Sequence, residues 1–286
     1  MVMYKRINID GLSIFFREAG NPSNPTIILL HGFPSSSHMF RDLIPHLAEC
    51  YHVIAPDYPG YGNSSMPSTT EFNYTFENLS IIIEKLIDRL CISHYLMYVH
   101  DYGGPIGFRL AVRNPNRILG FVIQNAVADI SGLGKPFDLF KALWVDRNPV
   151  TEAAFSVLTT FEFTKKQYLT GVCQPYMISP DGYSMDQFFL DRPGNSQIQL
   201  ELGYDYRNNV KQYPIWQQYL RIYQPPTLIT WGKYDFIFTL QGAHAFSKEL
   251  KTLETYYLCG GHFILEEQSR EISELIKRFF GRLYRQ

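Results

Sequence analysis

The chain of 286 residues carries 26 Lys plus Arg against 27 Asp plus Glu, a balance that offers no electrostatic reason to bind nucleic acid or an anionic membrane surface. Hydrophobic residues make up 45% and charged residues 19%, which allows a sizeable buried core and excludes a disordered or fibrous chain. No run approaches the roughly 18 apolar residues needed to cross a bilayer, and Lys5, Arg6 and Asp10 leave no apolar stretch at the amino terminus long enough for a signal peptide. These features imply a soluble, cytoplasmic protein. Cys50, Cys91, Cys173 and Cys259 are widely spaced and form no CxxC pair, so they read as small buried apolar residues in a reducing compartment.

In chain order, Tyr4–Ile9 and Leu12–Arg17 flank Asp10-Gly11, a dipeptide that favours a tight hairpin turn. Thr26–Leu30 and Tyr51–Ala55 are short, continuously apolar runs, as expected of strands covered on both faces. Leu79, Ile82, Ile83, Leu86, Ile87 and Leu90 recur at helical spacing behind Thr75, a residue suited to an N-cap. Tyr95–Val99 predicts another buried strand, followed by a helix through about Arg113, and Ile118–Gln124 predicts a further strand. Strands alternating with helices imply a mostly parallel sheet with helices on both faces.

From about Ala128 to Gln224 the alternation stops. Prolines recur there and the helical signals are short and aromatic-rich, which predicts an inserted helical cap over residues 128–224 between core segments 1–127 and 225–286. The rhythm resumes with a strand at Thr227–Trp231, a helix near Leu240–Leu250, a strand at Thr255–Leu258 and an amphipathic helix carrying Ile272, Leu275, Ile276, Phe279 and Leu283 on one face.

Three strand exits carry chemistry. Val99-His100-Asp101-Tyr102-Gly103-Gly104 sits between a strand and a helix, a turn that projects its central side chain from the carboxyl edge of the sheet, where open α/β sheets bind ligands. The helix dipole that follows favours an ionised Asp101. Trp231-Gly-Lys-Tyr-Asp235 and Gly260-Gly-His262 place an acid and a histidine 27 residues apart, each just past a late strand. A carboxylate bonded to one ring nitrogen orients the imidazole and leaves the other free to take a proton from water. Upstream, His31-Gly32-Phe33-Pro34 follows a strand, and its loop can aim the Phe33 N–H at the same point as the Tyr102 N–H, a pair of oxyanion donors. His31 and the loop Asp57-Tyr-Pro-Gly-Tyr-Gly-Asn-Ser64 read as structural. A second place for the acid is the exit of the strand ending near Gln124, where Asn125 stands and Asp129 follows; Asp235 has the better context.

On these residues, over essentially its whole length, the chain resembles an α/β-hydrolase. Asp at the elbow in place of Ser or Cys resembles the epoxide hydrolase and haloalkane dehalogenase branch of that superfamily. The resemblance implies Asp101 as nucleophile, His262 as general base, Asp235 as the acid that orients it, and Phe33 and Tyr102 as oxyanion donors, with an alkyl ester on Asp101 as intermediate. It implies no metal and no cofactor, only an apolar small-molecule substrate and water. Dehalogenases hold the departing halide with a Trp after the nucleophile and often an Asn at the position of Phe33; here Tyr102 and Phe33 stand there. Epoxide hydrolases use two cap tyrosines on the ring oxygen, and Tyr206 resembles the second. Tyr168 resembles the first, with Tyr176 and Tyr183 as rivals. Epoxide hydrolysis is therefore the leading expectation, carbon–halogen hydrolysis the enzymatic alternative, and a non-catalytic ligand-binding member of the fold the other. Nothing in the sequence marks an oligomer interface.

Overall fold

The computed structural model describes residues 1–283. Its strands are β1 (Met3–Ile9), β2 (Leu12–Ala19), β3 (Thr26–Leu30), β4 (His52–Pro56), β5 (Tyr95–His100), β6 (Ile118–Gln124), β7 (Thr227–Gly232) and β8 (Leu253–Leu258). The hairpin closes where expected, with Asp10 and Gly11 both at positive φ, the conformation that a two-residue turn between twisted strands requires. The strand order is β1-β2-β4-β3-β5-β6-β7-β8. Pairings of β1 with β2 and β2 with β4 are antiparallel; those from β4 through β8 are parallel.

Successive residues of a strand face opposite sides of a sheet. Ile28 and Leu30 of β3 accordingly join one apolar core and Ile27 and Leu29 the other. Helices α1 (Leu43–Leu47), α2 (Phe76–Arg89), α3 (Gly103–Arg113), α4 (Phe137–Val145), α5 (Pro149–Ser156), α6 (Phe161–Leu169), α7 (Pro180–Leu190), α8 (Asn195–Tyr223), α9 (Leu240–Phe246) and α10 (Leu265–Leu283) cover the sheet and its carboxyl edge. The stripe from Leu79 to Ile87 on α2 is buried as its spacing predicts, while Leu90 is the half-buried residue that ends the helix; Thr75 accepts the Asn78 N–H at 3.1 Å, satisfying one of the helix's free amino-terminal donors.

Helices α4 to α8 all fall between β6 and β7. One of them departs from the expectation of short pieces: α8 runs for 29 residues with Pro214 inside it. Proline removes one backbone bond, but Ile198, Leu202, Tyr206, Tyr213, Trp216 and Leu220 of this helix are all buried, and that burial outweighs the lost bond.

The reading of the cysteines is corrected. Cys173 and Cys259, 86 residues apart, form a disulfide, while Cys50 and Cys91 are exposed free thiols. The pairing is invisible in the sequence because it depends on the segment after α6 meeting the exit of β8. Among the described residues no helix is long and apolar enough to cross a membrane.

Candidate active site

Strands β3 and β5 are neighbours, with Leu30 opposite Val99, so the segments leaving their carboxyl ends emerge side by side. Asp101, first after β5, has φ of 49°, a left-handed backbone that costs a non-glycine residue about 1–3 kcal/mol and is typical of functional turns. The Phe33 N–H donates to Asp101 Oδ1 at 2.7 Å, and the Tyr102 N–H stabilises the same carboxylate. Gly32 permits this approach, because a Cβ there would stand 2.3 Å from Asp101 Cβ. Asp101 is only 5% exposed. Burial raises its pKa to about 6, against the opposing pull of His262 and of the two N–H donors.

His262 lies just past β8, fully buried. Its Nδ1 is 2.8 Å from Asp235 Oδ2, and its Nε2 is 3.9 Å from Asp101 Oδ2 without a hydrogen-bond partner of its own. A carboxylate can only accept here, so Nδ1 carries a hydrogen and Nε2, on the side of Asp101, is the nitrogen left to take up or release a proton. Burial works to lower the imidazole pKa, but the Asp235 charge and hydrogen bond more than offset it and the value is raised. Asp235 is itself held on both oxygens: Ile237 N–H donates to Oδ1 at 2.7 Å and Asn125 Nδ2 to Oδ2 at 2.8 Å.

Asn125 therefore has a part the sequence did not reveal. It follows β6 at φ of 41°, and its Oδ1 accepts the Gly232 N–H at 2.9 Å, tying the exit of β6 to that of β7. The available signal was its residue type, since Asn tolerates the left-handed turn at a strand exit. Asp129, the other position weighed for the acid, caps a turn through Ser131 N–H at 2.8 Å and takes a bond from Gln217, with no bond to His262. The expected structural residues stay structural: His31 stacks on Tyr58 at 4.0 Å, with burial pushing its pKa down to about 3, and Asp57 accepts from Ser37 and Asn63 N–H groups.

A narrow cavity opens over Asp101. Its wall is formed by Pro136, Phe137, Phe140, Phe155, Leu158, Phe163 and Ile237, together with Phe33, Asp101, Tyr102 and Gln167. The helical segment between β6 and β7 thus supplies most of the apolar surface facing the carboxylate.

The two tyrosines expected on that wall are not on it. Tyr168 points the other way: its ring stacks on Phe263 at 4.1 Å and its O–H donates to Asp186 Oδ2 at 2.6 Å. It sits on the flank of α6 that packs against α7 and the core, while Phe163 and Gln167, four residues apart, occupy the flank towards the cavity. Tyr206 stands one layer behind, with its ring 5.8 Å from that of Tyr102 and its hydroxyl 3.4 Å from that of Tyr213. Neither rival replaces Tyr168, since Tyr176 is exposed and Tyr183 packs edge-on against the Tyr168 ring. The polar side chains the wall does present are Asp101, Tyr102 and Gln167; a glutamine in an aromatic helix gave no sequence signal. Tyr102 is 3% exposed, and burial, with Tyr61 and Asp101 nearby, keeps its phenol well above the usual pKa. Among the described residues, no group of three or more His, Cys, Asp or Glu is arranged to hold a metal.

Chemically, this is a buried carboxylate on an apolar cavity, with one oxygen held by the Phe33 N–H and the other 3.9 Å from an oriented imidazole. Comparison with known proteins bears on it at three levels. The family model described as alpha/beta hydrolase fold matches residues 25–269. An uncharacterized hydrolase of Saccharomyces cerevisiae is 41% identical over 95% of this chain and 94% of its own length, and epoxide hydrolase 3 of Xenopus tropicalis is 24% identical over 96% and 77%. A solved haloalkane dehalogenase of Bradyrhizobium elkani superposes with a TM-score of 0.83 at 22% identity, covering 99% of both chains.

Proposed function

Because this chain belongs to the alpha/beta hydrolase fold family, we propose that it opens epoxides on small to medium, largely apolar substrates through a covalent ester on Asp101. Asp101 Oδ2 attacks a ring carbon, the carbon–oxygen bond breaks, and the electron pair goes to the departing oxygen, which takes a proton from the Tyr102 phenol. An alkoxide is a far stronger base than a phenolate, so even a phenol weakened as an acid by burial can protonate it, and Tyr102 lines the cavity beside Asp101. His262 Nε2 then removes a proton from water as the hydroxide adds to Asp101 Cγ. The negative charge that develops on Oδ1 lies on the Phe33 and Tyr102 N–H groups, donors worth about 10²–10³ in rate each. Collapse breaks the Cγ–Oδ2 bond to the alkyl group, His262 returns its proton to the product oxygen, and the new carboxylic acid gives up its proton to the Tyr102 phenolate, so that the ionised carboxylate and the phenol both re-form. In this reading residues 1–127 and 225–286 are the catalytic core, and the cap at 128–224 closes over Asp101 to exclude bulk water.

The observation that carries the reading is the Asp101 carboxylate held by Phe33 N–H at 2.7 Å, with its free oxygen 3.9 Å from a His262 Nε2 that has no other partner. The test is His262→Gln incubated with a panel of epoxides and haloalkanes. A stable mass increase of one substrate on the intact protein is expected, whereas an unchanged mass with every reactive compound refutes the covalent route. Carbon–halogen hydrolysis is the second reading, favoured by one feature: the Gln167 N–H donors on the cavity wall suit a halide, which needs hydrogen bonds but no proton. Chloride release with epoxides left untouched would decide for it.

A further inference from the structure

We infer that Gln167 determines specificity, selecting substrates that carry a second oxygen acceptor away from the reacting carbon. The inference rests on the proposed ring opening and adds a substrate class to it. Gln167 is 2% exposed, its Nε2 has no hydrogen-bond partner, and it lines the cavity that also presents Asp101. Buried side-chain amides are almost always paired, so an unpaired one on a ligand cavity points to the ligand as its partner.

Its position on α6 keeps it there. On the adjoining flank Thr164 Oγ1 donates to Gln187 Oε1 at 2.8 Å, and Tyr168 is fixed both by its stack on Phe263 and by its bond to Asp186. With those two anchors seated, Phe163 and Gln167 are held towards the cavity. The other polar side chains of the described wall, Asp101 and Tyr102, are engaged by the reaction itself. An amide N–H is too weak an acid to release its proton, so Gln167 cannot substitute for the phenol; what it can do is hold an oxygen lone pair. A wholly hydrocarbon substrate leaves this donor desolvated and unpaired, whereas an ether, hydroxyl or carbonyl oxygen at the right place satisfies it. The difference corresponds to roughly 5- to 100-fold in kcat/KM.

The experiment uses terminal epoxides of one chain length, in which each methylene in turn is replaced by an ether oxygen, against the all-carbon parent. Rates of alkyl-enzyme formation are read by intact mass in the His262→Gln background, alongside turnover by the otherwise native enzyme. We expect one oxygen position to react roughly 5- to 100-fold faster than the parent, and Gln167→Met to reduce that ratio to near one. Comparing ratios between the two proteins cancels intrinsic differences in epoxide reactivity. A flat series on the native residue overturns the inference without any variant, as does a ratio unchanged by Gln167→Met or a variant that slows every member equally. If adducts form without the position effect, this inference alone fails; if no epoxide gives an adduct, the ring-opening reading fails and takes this one with it.

Discussion

Replacing Gly32 with alanine puts a methyl carbon 2.3 Å from Asp101 Cβ and 2.7 Å from Asp101 Oδ1. Non-bonded carbons rest about 3.5–4.0 Å apart, so the loop and the carboxylate must separate by about 1 Å or more. Phe33 N–H donates to that Oδ1 at 2.7 Å, and lengthening the contact by this amount carries it past the limit of a hydrogen bond. The variant then loses one of two oxyanion donors, worth about 10²–10³ in rate. The loss should fall mainly on hydrolysis of the ester, where charge develops on Oδ1, so alkyl-enzyme should accumulate during turnover. Rapid-quench intact mass reads both half-reactions separately. A Gly32→Ala enzyme that folds normally and hydrolyses its ester within threefold of the native rate would refute the placement of Phe33 in the reaction.

Other consequences follow from the same geometry. Asn125→Ala removes the donor to Asp235 Oδ2 and the acceptor for Gly232 N–H; it should cost about 1–3 kcal/mol in chemical denaturation and slow hydrolysis more than alkylation, because Asp235 no longer holds His262 rigidly. Alkylation needs Asp101 ionised, and its carboxyl is raised to about 6 by burial, so the single-turnover alkylation rate should fall tenfold per unit as pH drops below about 6. Hydrolysis needs His262 neutral and its pKa is raised, so that step should keep climbing above the usual imidazole range; coincident limbs for the two steps would contradict these assignments. Tyr102→Phe should slow epoxide alkylation by about 10²–10⁴ and spare substrates with halide leaving groups. Tyr168→Phe removes the bond to a buried Asp186 and should lower stability by about 1–3 kcal/mol with kcat within a factor of two; a large loss of kcat would restore Tyr168 to the chemistry.

The alternation of short apolar runs with helical stripes sufficed to predict the parallel sheet, because strands buried on both faces leave a compositional mark that is local in the chain. The same locality made Asp101, Asp235 and His262 legible: each stands just past a strand, and parallel strands deliver their exits to one edge whatever their separation in sequence. What lies between those exits was not legible. That Asn125 braces Asp235 follows from β6 and β7 being neighbours, and that Cys173 meets Cys259 follows from the segment after α6 reaching the exit of β8. The choice between Gln167 and Tyr168 on the cavity wall is a matter of about 100° around one helix. That angle is set by the Tyr168–Phe263 stack and the bond to Asp186, contacts between residues far apart in sequence that helical periodicity within an aromatic-rich segment cannot encode.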